Sequence, residues 1–265
     1  SAGLYGLWWA NAASLAVAEL ERWVEARRTA GFDISYDAIE TAGFPLRIDL
    51  LVLNPKVSRL SQHPFSWQGP GALIAHINPL SPNHLELDAK GTHVRAQESK
   101  QISLSVESAL ISIDANGDQL EVLHLDIQKA QGDGLASTPA RLGQLTLDFH
   151  RRFDVAPDDL QTPTASLAVG LEQLSLPSPQ GVEISRLSAR LHLRGPAPDN
   201  LKPAPLAAWS NAGGVLDLES LYLDWPPLVL EGDGTLALDR QLMPIAPFGL
   251  KAKGAIPKAA RPIRD

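Results

Sequence analysis

No cysteine occurs anywhere in the 265 residues. That absence removes a disulfide framework, a thiolate nucleophile and any cysteine-ligated zinc. It suits a reduced cytosol and equally a periplasmic protein that uses no disulfides. Aromatic residues are scarce at 6%, so the 44% hydrophobic content is mostly Leu, Ala, Ile and Val. Cations are outnumbered: 23 Lys and Arg stand against 30 Asp and Glu, a net charge of −7 with His neutral. A duplex nucleic-acid binder needs a cationic footprint, so nucleic acid is not an expected partner. No Gly-x-Ser-x-Gly nucleophile elbow and no common phosphate-binding glycine loop is present. Gly69-Pro70-Gly71 and Gly232-Asp233-Gly234 read as turns instead.

What is present is helix once and strand many times. Residues 8 to 29 make the best helix, with Trp8, Ala12, Leu15, Ala16, Leu20 and Trp23 on one face at 3- and 4-residue spacing. Arg27 and Arg28 suit its C-terminal dipole and Gly31 its cap. The chain opens on Ser1, and its apolar start is interrupted by Asn11 and Ser14, short of the roughly 20 residues of a membrane span. Residues 1 to 10 admit two readings: the remnant of an upstream anchor or signal segment that has been removed, or the start of an ordinary amphipathic helix.

After Gly31, alternating runs lie at 32–36 and 46–52, and near 71–77, 84–95, 101–113, 119–128, 142–151, 165–176, 182–194, 214–224, 228–239 and 247–253. Turn residues such as Asn54-Pro55, Asn78-Pro79 and Asn116-Gly117-Asp118 separate them. Strands this numerous without intervening helices make an antiparallel meander. The Pro-rich stretch 194–214 leaves room for a short helix at 204–211 and for a sub-sheet break near 195–213.

One pattern recurs: apolar, x, apolar, x, x, apolar, x, apolar. It occurs at Leu216, Leu218, Leu221, Leu223; at Val169, Leu171, Leu174, Leu176; at Leu120, Val122, Leu125, Ile127; and at Val182, Ile184, Leu187, Ala189. An extra residue that leaves the apolar side chains on one face is a β-bulge, which bends and twists the strand. Repeated bulges are expected to coil a long sheet into a trough with leucines inside. One helix of about 22 residues, roughly 33 Å long, cannot cover so many aliphatic side chains. The sheet must fold on itself, close, or hold another apolar substance.

Polar clusters point to no chemistry. Asp148 and His150 share a strand face, and so do His84, Glu86 and Asp88. Three ligands strung along one strand are too spread for one ion. His63, His76 and His93 lie near in sequence, but a solvated face is the expectation and no metal or cofactor is. Ser66 and Ser210 read as loop residues outside any nucleophile motif, and Asp158-Asp159 as a turn or cap. Arg186, Arg190, His192 and Arg194 form a cationic stripe facing away from Leu187, Ala189, Leu191 and Leu193. It fits either anionic headgroups or a solvated face. Trp67 and Trp225, near Pro-containing turns, fit a trough mouth or the plugged end of a core.

Two segments carry a resemblance. The helix with Trp23, the turn in ARRTAGFDISYD and the Gly-Phe-Pro of TAGFPLRIDL resemble the proteobacterial family known as domain of unknown function 2125. The Trp-centred segment PFSWQGPGALIAHINPLSPNHLEL resembles it too. That resemblance implies an N-terminal membrane anchor and a periplasmic setting. LDLESLYLDWPPLVLEGDGTLALD is similar in texture to AsmA-like proteins, which implies a long β-trough that binds lipids or passes them between membranes.

The expected architecture is mainly β: a large curved, bulged antiparallel sheet, an AsmA-like half-barrel trough, with one N-terminal helix. Residues 1–31 hold the helix after a removed anchor, and 32–265 the β-trough. The expected function is non-enzymatic: a periplasmic protein, held at the inner membrane, that keeps acyl chains of a lipid or other amphipathic ligand against Leu171, Leu174, Leu187, Leu191, Leu218, Leu221 and Leu223. Headgroups are assigned to Arg186, Arg190 and Arg194. The alternative is an envelope structural or assembly module with a closed dry core and protein partners.

Overall fold

The computed structural model describes residues 2–254 except 60–63, 98–99, 118, 135–137, 157, 178–180, 199, 201 and 240. Helix α1 spans Ala2–Thr29. Short strands follow: β1 Asp33–Ser35, β2 Ala38–Ala42, β3 Ile48–Leu53, β4 Lys56–Arg59, β5 Phe65–Gln68, β6 Ala72–Asn78, β7 Ser81–Asp88 and β8 Gly91–Gln97. The long strands are β9 Lys100–Asn116, β10 Gln119–Asp133, β11 Ala140–Arg151, β12 Pro163–Leu176 and β13 Val182–Arg194. After helix α2, Pro203–Asn211, come β14 Val215–Trp225, β15 Leu228–Leu238, β16 Pro244–Ile245 and β17 Phe248–Gly254. All pairings are antiparallel, and the described strands form one open 17-stranded sheet.

From β9 to β15 the sheet is a plain meander of neighbours. At β9 it branches. The second half of β9 pairs with β7 through Leu85↔Ile113 and Leu87↔Ile111, and the first half with β8 through His93↔Leu104. One arm runs β7, β6, β3, β2; the other runs β8, β5, β4, β1. The run read as one strand at 84–95 is therefore two, broken at Ala89-Lys90, where Gly91 takes φ 120. Gly232-Asp233-Gly234 is no turn but lies inside β15. Ser66 is in β5 and Ser210 in α2, whose hydroxyl donates to Leu238 O.

Helix α1 lies on the aliphatic face and touches both β1 and β3, one strand from each arm. Ala13, Ile48 and Leu50 make a buried cluster, ringed by Trp9, Ala12, Ala16, Val17, Leu20, Ala75 and Ile77. The seated stripe is thus rotated from the expected one: Trp8, Leu15 and Trp23 face outward and are 41%, 60% and 51% exposed. Both stripes are apolar, so hydrophobicity does not choose between them. The alanines of the inner stripe let the helix axis approach the sheet closely, which bulky side chains would prevent. Gly31, at φ 90, ends the helix as expected, with its N–H donating to Arg28 O.

Helix α2 closes one end of the C-terminal half. Trp209 is buried, and its Nε1 donates to Arg194 O at 2.9 Å. Gly214 lies beneath the indole, where a Cβ would stand 2.2 Å from Nε1. Across this Pro-rich stretch β13 still pairs with β14, Arg194↔Val215, so the sheet runs on.

The described core is small. Besides the helix seat, the buried cluster is Ala89, Val106, Ala109 and Ala130, with Leu73, Ile127 and Leu142 against it. The chain's accessible surface is 17363 Å² for 28.5 kDa, where a compact monomer of that mass exposes about 11,000 Å². An open sheet with one main covering helix contributes to that excess.

Candidate functional site

Directly paired residues share a face, so the ladders trace what each side of the sheet carries. One row runs Ile113, Leu123, Phe149, Leu167, Leu191, Leu218 from β9 to β14. The next runs Ala109, Ile127, Leu145, Leu171, Leu187, Leu223, Leu230 and reaches β15. Between them lie Val169, Ala189 and Leu221. In β15 the sequence switches to Gly232 and Gly234, and the side chains of Leu250 and Phe248 on β17 lie over those glycines. The result is a continuous aliphatic surface on the side where α1 packs.

Matched one-residue steps, and one bulge in β14, keep it continuous. The ladder passes from Glu172↔Arg186 to Leu174↔Ile184, skipping Gln173 and Ser185. The neighbouring ladders skip Gly143, Lys129 and Glu107 at the same level. One residue drops out on each strand, so the register holds and no two-against-one bulge forms at this level. Gln173 and Lys129 take the left-handed backbone there, φ 54 and 49, and Val106, Ala109, Ile127, Ala130 and Leu142 on either side of the step still pack together. In β14 the register shifts between Leu218 and Leu221, so Leu216, Leu218, Leu221 and Leu223 share the face. The motif at Leu120–Ile127 behaves differently. Leu123, Leu125 and Ile127 alternate regularly, Val122 pairs with His150 on the polar side, and the register shift falls between Leu120 and Val122. Leu123 already supplies the inward side chain, so no residue is skipped at Leu123-His124.

Leu171, Leu174, Leu187, Leu191, Leu218, Leu221 and Leu223 all lie on the aliphatic face, and each is half-buried. Their contacts are with one another along the sheet; α1 seats on β3 and β6 instead.

The opposite face is polar. Arg186 bonds Glu172 at 2.8 Å, Arg194 bonds Asp217 at 3.3 Å and also donates to Gln161 O, and Arg190 is exposed. These arginines stand behind the sheet from the leucines. A cavity of about 590 Å³ opens beside the step at Gln173 and Ser185, lined by Glu172, Gln173, Arg186, Tyr222 and Asp224 among others.

Histidine–carboxylate pairs brace the polar face: His76–Asp49 at 2.7 Å, His84–Asp114 at 2.7 Å and His124–Asp148 at 2.5 Å. Asp148 thus takes its histidine from the adjacent strand, not His150. The hydrogen bond to Asp114 holds the His84 imidazole above its ordinary pKa, against mild desolvation. Asp159 accepts from Thr162 and Gln161 N–H, forming the expected turn, and the Thr162 side chain first, then these N–H groups, hold its carboxyl low.

One constellation escaped the linear sequence. Ser166 Oγ lies 3.0 Å from His192 Nδ1, and His192 Nε2 lies 3.1 Å from Glu219 Oε2. Three strands bring the groups together, and the bulge in β14 turns Glu219 toward the histidine. Acyl transfer also requires donors aimed at a developing oxyanion. Ser166 sits mid-strand between two ladders that engage the surrounding N–H groups, so the trio acts as a cross-strand brace. Among the described residues no group of three or more His, Asp or Glu is placed to hold a metal ion; His63 lies outside them. Trp67 stacks on His93 at 5.9 Å, and Trp225 is 43% exposed.

A family model described as "Uncharacterized protein conserved in bacteria (DUF2125)" matches residues 9–259. The chain belongs to that family. No curated protein matches it, and no solved structure does.

Proposed function

We propose that this DUF2125 member holds the acyl chains of lipids, or of another amphipathic ligand, against the aliphatic face of β12–β15. The observation that carries this reading is a continuous leucine surface, partly exposed at each position, that no helix packs across at β12–β14 among the described residues, α2 meeting β15 and the end of β13. A Leu or Val left in water forgoes about 1.5–3 kcal/mol, and soluble proteins seldom leave apolar patches beyond a few hundred Å² uncovered. Hydrocarbon chains need contact area and little directional recognition. Burial is the whole mechanism: Leu171, Leu187, Leu191, Leu218 and Leu221 replace the bilayer interior while headgroups stay at an open rim. Arg186, Arg190 and Arg194 lie behind the sheet from such chains and take no part. The proposed setting is the periplasmic side of the inner membrane, and the proposed role is non-catalytic.

The test is native mass spectrometry with solvent extraction of the purified full chain. Lipid at near-stoichiometric level is expected, falling at least several-fold in Leu187→Asp/Leu221→Asp. A protein that carries no lipid, and takes none up from liposomes, sinks the proposal. The second reading is an envelope assembly module. Strand β17 favours it: it ends the sheet beside β15, and all its residues are exposed, as a strand-pairing edge would be.

A further inference from the structure

The exposed apolar side chains are unevenly placed. Leu4 is 74% exposed, Leu7 71%, Phe44 56%, Leu46 83% and Leu80 84%. They come from three segments that meet at one end of the molecule. The first turns of α1 are tied to the β2–β3 turn by Tyr5 OH donating to Pro45 O at 2.6 Å and Trp9 Nε1 donating to Arg47 O at 2.9 Å. Phe44 packs edge-on against Trp9 at 5.5 Å. The pairing Ile48↔Ile77 brings the β6–β7 turn, with Leu80, to the same end. No Asp, Glu, Lys or Arg occurs at 2–18, 41–46 or 77–83. Arg47 follows the turn, half-exposed and paired with Asp49 at 2.8 Å.

We infer that this tip is a bilayer-docking surface, on which Leu4, Leu7, Phe44, Leu46 and Leu80 enter the lipid interface. The chemistry favours lipid over a protein partner. The tip is built of turns and the first turns of α1, and the polar atoms of Tyr5 and Trp9 are already bonded to backbone oxygens of the β2–β3 turn. It offers hydrocarbon and ring edges without the directional polar groups found at the rim of protein interfaces. Aromatic rings with Leu beyond them suit the boundary between headgroups and acyl chains. Charge-free segments enter that boundary without desolvating an ion. Among the described residues no helix is long and apolar enough to cross a membrane. This inference goes beyond the acyl-chain reading and stands without it: a protein with an empty leucine face would dock equally well.

The test is flotation of the full chain with vesicles of phosphatidylethanolamine and phosphatidylglycerol. Leu46→Asp/Leu80→Asp changes only highly exposed side chains, so the fold is retained, as circular dichroism will check. The double variant is expected to lose vesicle binding at least tenfold. Leu110→Asn, a 50% exposed position on the polar face, should bind as the parent does. Parent protein that fails to float, or a double variant that floats undiminished, overturns the inference. So does a parent that binds no vesicles but dimerises in light scattering through the same residues. Lipid extraction on the double variant separates the two proposals, because loss of docking leaves any bound cargo in place.

Discussion

Gly143 on β11 and Gln173 on β12 stand side by side in the one step that the ladder between their strands skips. A Cβ on Gly143 would lie 2.7 Å from Gln173 Oε1. Gln173 holds φ 54 there, a left-handed conformation that costs a non-glycine residue roughly 1–2 kcal/mol. Gln173→Gly is therefore expected to be neutral or up to about 1 kcal/mol more stable. Gln173→Val, β-branched at a positive φ, should lose about 1–3 kcal/mol. Urea unfolding of both variants decides it; equal midpoints would mean that the strand carries no left-handed residue at this position.

Much of this was legible along the chain. Alternation and turn residues mark the long strands because each has one dry and one wet face. The matched step at Gln173 and Ser185, which is not a bulge because both strands give up one residue, and the true bulge at Glu219-Ser220 both show as a one-residue slip in the leucine spacing. At Leu123 the same spacing misleads, because an apolar residue also fills the intervening place. The branch at β9 leaves no local mark: which half of a 17-residue strand pairs with which hairpin is set by residues far apart. Likewise Asp148 sits two residues from His150, yet pairing across β10 and β11 gives it His124. The candidate leucines were readable one by one. Their lack of a covering layer was not, since an aliphatic strand face looks alike in a closed core and an open sheet.

The seat of α1 gives a second prediction. Ala13 is 4% exposed against Ile48 at 1%, while Leu15 is 60% exposed. Ala13→Leu overfills a closed contact and should cost about 1–3 kcal/mol. Leu15→Ala removes a larger side chain yet should stay within about 0.5 kcal/mol. Denaturation midpoints check the pair, and the reverse ranking would restore the helix face that the 3- and 4-residue spacing first picked out.

His84 makes stability depend on pH in a definite direction. Its pKa is raised in the folded chain, chiefly by the hydrogen bond to Asp114. The pair's stabilisation is thus complete below the ordinary value of 6.5 and fades as pH rises through the folded value. Asp114→Asn should lower the His84 pKa in an NMR titration of the ring. It should also shrink the gap in stability between parent and variant as pH rises above that window. A gap that widens with pH would contradict the assigned cause.

Strand β17 is held over two glycines, and that gives the last prediction. A Cβ at Gly234 would lie 2.2 Å from Phe248 Cδ1 and 2.8 Å from Pro247 O, so the ring occupies the place of the missing side chain. Phe248 itself is 59% exposed, and no other element backs it among the described residues. Gly234→Val therefore cannot be absorbed by a small shift: the ring must leave, and the ladder from Gly234↔Phe248 to Leu228↔Gly254 loses its apolar fastening. Hydrogen exchange in residues 248–254 should speed up at least tenfold, while β12–β14 stay protected because their own rows remain intact. If exchange rises equally across β12–β14, β17 is a structural part of the meander rather than a strand fastened to its edge.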